Sequence, residues 1–197
     1  MKSALLSLSI LFAGITSSAQ NIIATPAIQI QTAVLSAPAD KRENATVLGY
    51  SGKGEFIELR KGTNEMICLA DDPKLPGLSV SSYHKDLEPF MKRGRDLRIS
   101  GKTAKEASDM RDEEVKSGKL QMPKQPTSLY VYTAKAENYQ VLTGSVKDGY
   151  LRYVIYIPYA TSISTGLPLK PDVDGMPWLM DAGTHKAHIM ITPPQKN

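Results

Sequence analysis

The sequence predicts an α+β fold, a single domain whose mainly antiparallel sheet carries two to three helices packed on one side. Three observations predict it. Short apolar-alternating runs bounded by Gly, Pro, Asn and Asp cluster in two blocks, near residues 46–69 and 129–192. Helical signals concentrate in one insert between the blocks, about residues 81–120. Strands and helices do not alternate regularly, which argues against a doubly wound parallel sheet.

The elements follow in order. Thr25-Pro26 opens a stretch to about Ala37 in which Ile28, Ile30, Val34 and Leu35 predict a short helix, with Pro at its first position. Its β-branched content makes a strand the rival reading. Thr46–Tyr50, Glu55–Arg60 and Glu65–Leu69 read as strands, joined by turns at Gly52-Lys53-Gly54 and Gly62-Thr63-Asn64. Asp71-Asp72-Pro73 and Pro76-Gly77 then form a loop.

Ser81 or Ser82 is expected to cap a helix over about Lys85–Arg98, with Leu87, Phe90, Met91 and Leu97 as its apolar face. Thr103-Ala104-Lys105-Glu106 is a capping box, so a second helix starts there and stops at Gly118. Leu129–Thr133 and Tyr139–Gly144 are further strands. Tyr150–Ile157 carries the strongest strand signal. Leu151, Tyr153, Ile155 and Ile157 alternate there with Tyr150, Arg152, Val154 and Tyr156, as expected of a central strand. Residues 158–182 read as an irregular loop, and Lys186–Thr192 as the closing strand.

The first nineteen residues predict export. Lys2 is the positive end, Ala4–Ile15 the apolar stretch, and Ser17-Ser18-Ala19 the small residues before a cut at Gln20. The apolar stretch is shorter than the roughly 20 residues that span a bilayer. A bacterial signal peptide over 1–19 and a domain over 20–197 are therefore expected, periplasmic or secreted, with no transmembrane anchor. The formal charge of +4 is mildly basic. It favours anionic neighbours such as phospholipid head groups, and an exported protein rarely meets nucleic acid. The single cysteine, Cys68, forbids an internal disulfide, and its neighbours Met66, Ile67 and Leu69 predict burial.

Four strings carry a resemblance: Leu59-Arg60-Lys61-Gly62-Thr63-Asn64, Cys68-Leu69-Ala70-Asp71-Asp72-Pro73, the segment Tyr83–Met91, and the segment Trp178–Ile191. Together they resemble a family of uncharacterised exported bacterial proteins. The resemblance implies export and a single domain. It implies no catalytic residue.

Candidate chemistry rests on few residues. The histidines are His84, His185 and His188. With Asp181 they offer imidazole and carboxylate ligands for zinc or another divalent metal, provided the chain bends between His185 and His188. The competing reading makes His185 a loop hydrogen-bonder and His188 a strand-face residue. Cys68 with a histidine, oriented by Asp71 or Asp181, is a conceivable nucleophile, but no helix N-terminus follows it to lower its pKa. No Gly-x-Ser-x-Gly elbow and no Gly-rich phosphate loop is present. Seven of the nine tyrosines fall between Tyr130 and Tyr159. A pocket walled by Tyr150, Tyr156, Trp178 and His188 is the expected ligand site. The leading expectation is non-enzymatic binding of a small molecule, or of a periplasmic or envelope partner, without a cofactor. The alternative is a metal-dependent hydrolase on the His/Asp cluster.

Overall fold

Thr25 starts the first helix of the computed structural model, which describes residues 22–195. The expected signal peptide, residues 1–19, lies outside the described residues. The Thr25 hydroxyl accepts from the Ile28 N–H and Pro26 holds the first helical position, so α1 (Pro26–Ala33) forms despite its β-branched residues. A 3-10 turn extends it to Ser36.

Ten strands are present among the described residues: β1 (Thr46–Tyr50), β2 (Phe56–Arg60), β3 (Met66–Leu69), β4 (Leu78–His84), β5 (Thr127–Ala134), β6 (Tyr139–Gln140), β7 (Ser145–Val146), β8 (Tyr150–Tyr156), β9 (Trp178–Met180) and β10 (His188–Ile191). Eight of them form one mixed sheet in the order β2-β1-β3-β4-β5-β8-β10-β9, and β6 and β7 pair separately. β1 and β3 run parallel, while the flanking pairs are antiparallel.

That parallel pair has a steric signature. β2 lies on one side of β1 and β3 on the other, so the chain between them must pass the start of β1. A Cβ on Gly62 would stand 2.2 Å from the Thr46 nitrogen and 2.4 Å from the Ala45 carbonyl carbon. Only hydrogen fits there. Thr63 and Asn64 N–H both donate to the Asn44 carbonyl, at 2.9 and 3.1 Å, which fastens the crossing.

The helical insert begins later than the sequence predicts. Ser81 and Ser82 are not helix caps. They lie inside β4, between β3 and β5. Leu78, Val80 and Ser82 are buried on one face and Tyr83 on the other while Ser79 is exposed, so the serine-rich run hides its strand character. A 3-10 turn over Lys85–Leu87 leads into α2 (Glu88–Ile99), and α3 (Ala104–Lys116) follows with the predicted Thr103–Glu106 capping box. Arg93 grips Glu114 with two nitrogens and joins α2 to α3.

The helices do not all pack on one side of the sheet, contrary to the sequence expectation. Val47, Cys68, Ser82 and Tyr130 are successive cross-strand partners and share one face. Ala33 and Ala37, from α1 and just beyond it, are buried there against Val47 and Cys68. Tyr83, Leu129 and Val154 share the other face, where Leu87 and Met91 cover them. Periodicity reports that a helix has an apolar side. It carries no information on which face of a two-sided sheet receives it. A short α4 (Ser162–Thr165) lies in the loop after β8, and β9 forms within that same loop, where no strand was expected. No helix among the described residues is long and apolar enough to cross a membrane.

Candidate functional site

The four residues of the expected ligand site lie on the sheet face that carries α2, by register with Val154 and Tyr83. Tyr156 and His188 are cross-strand partners with ring centroids 5.3 Å apart. Trp178 stands opposite Met190, two pairs along the strand. Tyr150 is at the far end of β8, where its hydroxyl donates to the Pro193 carbonyl. Phe90 of α2 packs edge-on against Tyr156, with centroids 6.3 Å apart, and covers this face. Burial first, and the Asp181 charge as well, push the Tyr156 hydroxyl up. Neither of the two cavities described below is lined by these four side chains.

The histidines are drawn into separate contacts. His84 Nδ1 accepts from the Asp86 N–H at 3.2 Å and caps the turn into α2. His188 Nδ1 lies 2.7 Å from the Lys186 carbonyl oxygen. His185 is only 5% exposed and stacks edge-on against Phe90. Its Nε2 is 3.2 Å from Asp112 Oδ1, although neither atom is aligned for a hydrogen bond. Burial lowers the His185 pKa, and the Asp112 carboxylate opposes that shift. Burial thus favours the neutral imidazole at this contact. Asp181 adopts a left-handed turn (φ 52°), and its carbonyl accepts from the Thr184 hydroxyl. Among the described residues no three His, Cys, Asp or Glu side chains are grouped to hold a metal ion.

Cys68 is fully buried in β3, and burial pushes its thiol up to about 12. It stays protonated and makes a poor nucleophile. Three basic side chains of the helical insert pair with acids: Lys92 with Asp96, Arg95 with Glu88 and Lys105 with Asp109.

Two cavities stand out. One, of about 520 Å³, is an open depression on α3 bordered by Asp109, Asp112, Glu113, Glu114 and Lys116. The other, of about 300 Å³, is a cleft where α1, the ends of β1 and β3, the 71–77 loop and the β6 region meet. Ile22, Ile23, Leu75, Pro76 and Val141 give it apolar walls. Tyr50, Gln29, Thr32, Tyr139 and Asp71 supply its polar groups.

Local sequence explains each position. Gln29 sits on the buried side of α1 and brackets the end of β1. Its Nε2 donates to the Tyr50 carbonyl and its Oε1 accepts from the Tyr50 N–H, both at 2.8 Å. Nε2 also donates to the Ala24 carbonyl at 2.8 Å. Tyr50 is thereby fixed at the cleft and packs edge-on against Phe56. Asp71 lies two residues past the end of β3, and its Oδ1 accepts from the Ser79 N–H at 2.7 Å, which ties the 71–77 loop back onto β4.

The cleft is electrostatically unusual. Burial, with help from the neighbouring Asp72, raises the Asp71 carboxyl to about 6, while the Ser79 N–H pulls it down. Tyr50 is pushed up to about 12, first by burial and then by Asp72 and Asp71. Tyr139 is raised by burial and by Asp71. A concave, largely apolar site with one perturbed carboxyl has the character of a ligand pocket.

Sequence reasoning placed none of this cleft. Asp71 entered it only as a turn residue or as the orienter of an imagined Cys68 nucleophile. Gln29 left a readable signal, a polar residue between Ile28 and Ile30 on a short helix. Comparison with protein-family models, with curated proteins and with solved structures finds no match to this chain.

Proposed function

We propose that the protein is an exported, non-enzymatic binding domain whose ligand is a small molecule held in the Asp71 cleft. One observation carries this reading: a largely apolar cleft of about 300 Å³ keeps a carboxyl in a place that raises its pKa to about 6. A carboxyl perturbed by burial and lying in a cleft is a candidate for a functional group. The described lining holds no histidine, cysteine or lysine to pair as nucleophile and base, so binding is better supported than catalysis. The order of charge, apolar stretch and small residues in 1–19, and the family resemblance, support export.

The sheet-face site at Tyr150, Tyr156, Trp178 and His188 has weaker support, because Phe90 already packs on Tyr156 and Tyr150 is engaged with Pro193. A hydrolase with zinc or another divalent metal on His84, His185, His188 and Asp181 is supported less still, given their separate contacts.

Protein-observed NMR with a library of small fragments tests the site. Shifts should concentrate at residues 49–50, 71–79 and 139–141. Shifts confined to 154–156 and 178–190 would move the site to the sheet face and overturn the cleft. Cell fractionation with mass analysis of the mature N-terminus tests export, and an intact Met1 in the cytoplasm would sink it.

A further inference from the structure

The charge inventory of the cleft narrows its ligand. Asp71 is the one charged side chain among the described lining residues. Among the described residues no lysine, arginine or histidine lines the cleft. The Gln29 amide, the obvious neutral donor, is spent on backbone groups of Ala24 and Tyr50. A carboxylate or phosphate entering here would be desolvated beside a carboxylate, with no cation among the described lining residues to meet it. Anionic ligands are therefore disfavoured.

The opposite charge is well served. Among the described contacts Asp71 accepts one hydrogen bond, at Oδ1 from Ser79, which leaves Oδ2 free for a ligand. Tyr50 and Tyr139 border the same space. Their rings offer faces to a cation and their hydroxyls can accept its protons. Leu75, Pro76 and Val141 provide the apolar remainder. A volume of about 300 Å³ lies at the small end of ligand pockets.

We propose that the cleft binds a small organic cation, an apolar body bearing one protonated amine, with the ammonium paired to Asp71 between Tyr50 and Tyr139. This rests on the cleft being the ligand site. The charged group that acts on Asp71 is Asp72 on the same loop, and Asp71 in turn raises Tyr50 from β1 and Tyr139 from β6. No cation stands among the described lining residues to compete with the ligand for the carboxylate.

The test uses three probes of one carbon skeleton: phenethylamine, phenethyl alcohol and phenylacetate. Their binding is measured by titration calorimetry at pH 7.5 and pH 5, on the protein and on Asp71→Asn. The amine should bind at least about tenfold tighter than the alcohol at pH 7.5, a difference of about 1.4 kcal/mol. Phenylacetate should bind weakest. The amine's advantage should fall several-fold at pH 5, where Asp71 is largely protonated, and vanish in Asp71→Asn. A thermal melt of the variant establishes that it is folded. If the alcohol or phenylacetate binds as well as the amine at pH 7.5, the cation assignment is wrong and the cleft remains a binding site. An amine preference that survives in Asp71→Asn also overturns the assignment. If no probe binds, both the cation assignment and the cleft as ligand site fall.

Discussion

Asp71→Asn should make the protein more stable at neutral pH, which is unusual for the loss of a hydrogen-bonded, half-buried carboxylate. Folded Asp71 titrates at about 6 against an ordinary 3.8, with burial as the main cause. The folded state therefore holds its proton more tightly than the unfolded chain. Stability from this group is full below about pH 4, is lost as pH rises toward 6, and stays lost above. The gap between 3.8 and about 6 corresponds to roughly 3 kcal/mol at 1.36 kcal/mol per tenfold step. Asp71 is only half-buried, and solvent screening reduces the figure to about 1–2 kcal/mol. Asparagine keeps an oxygen for the Ser79 N–H and carries no charge. Urea unfolding should show the variant about 1–2 kcal/mol more stable at pH 7.5 and equal to the parent near pH 4. A variant less stable at pH 7.5, or a difference that does not change with pH, would refute the reasoning.

Three further outcomes are expected. Gly62→Ala should lose at least about 3 kcal/mol in urea unfolding, because its Cβ would strike the backbone of Ala45 and Thr46; a loss below about 1 kcal/mol would mean that the crossing can shift. Cys68 should ignore a thiol reagent in the native protein and react fully in urea, and rapid native labelling would place it at the surface. His185 should titrate below 6.5 by NMR, since burial outweighs Asp112, so this residue removes stability as pH falls through 6.5; a midpoint above 6.5 would mean that the carboxylate dominates.

Much of the fold was legible because its signals are local. Thr103 and Glu106 cap α3 through three residues of chain, and Gly52 to Gly54 turn β1 into β2 within a hairpin. β4 was hidden because Ser81 and Ser82 inside the strand imitate a helix cap. β9 has only three residues and depends on pairing with β10. The cleft was unreadable for a different reason. Gln29, Tyr50, Asp71 and Tyr139 come from four separate elements, and only tertiary structure brings them together. Asp71 looks like an ordinary turn aspartate until burial is known, and burial is what changes its chemistry. The histidine spacing was visible, but chain direction sends His188 to a sheet face and His185 to α3.

The passage of Gly62 over the start of β1 couples strands that a plain hairpin would leave independent. β1 is flanked on both sides by chain that immediately follows it, and the connection is fastened to Asn44 at its base. Neither β2 nor β3 can peel away without lifting that strap, and β1 cannot slip in register beneath it. Residues 44–69 therefore form one cooperative unit, whose amides should exchange with solvent together, at a common opening free energy, and not strand by strand from the β2 edge inward.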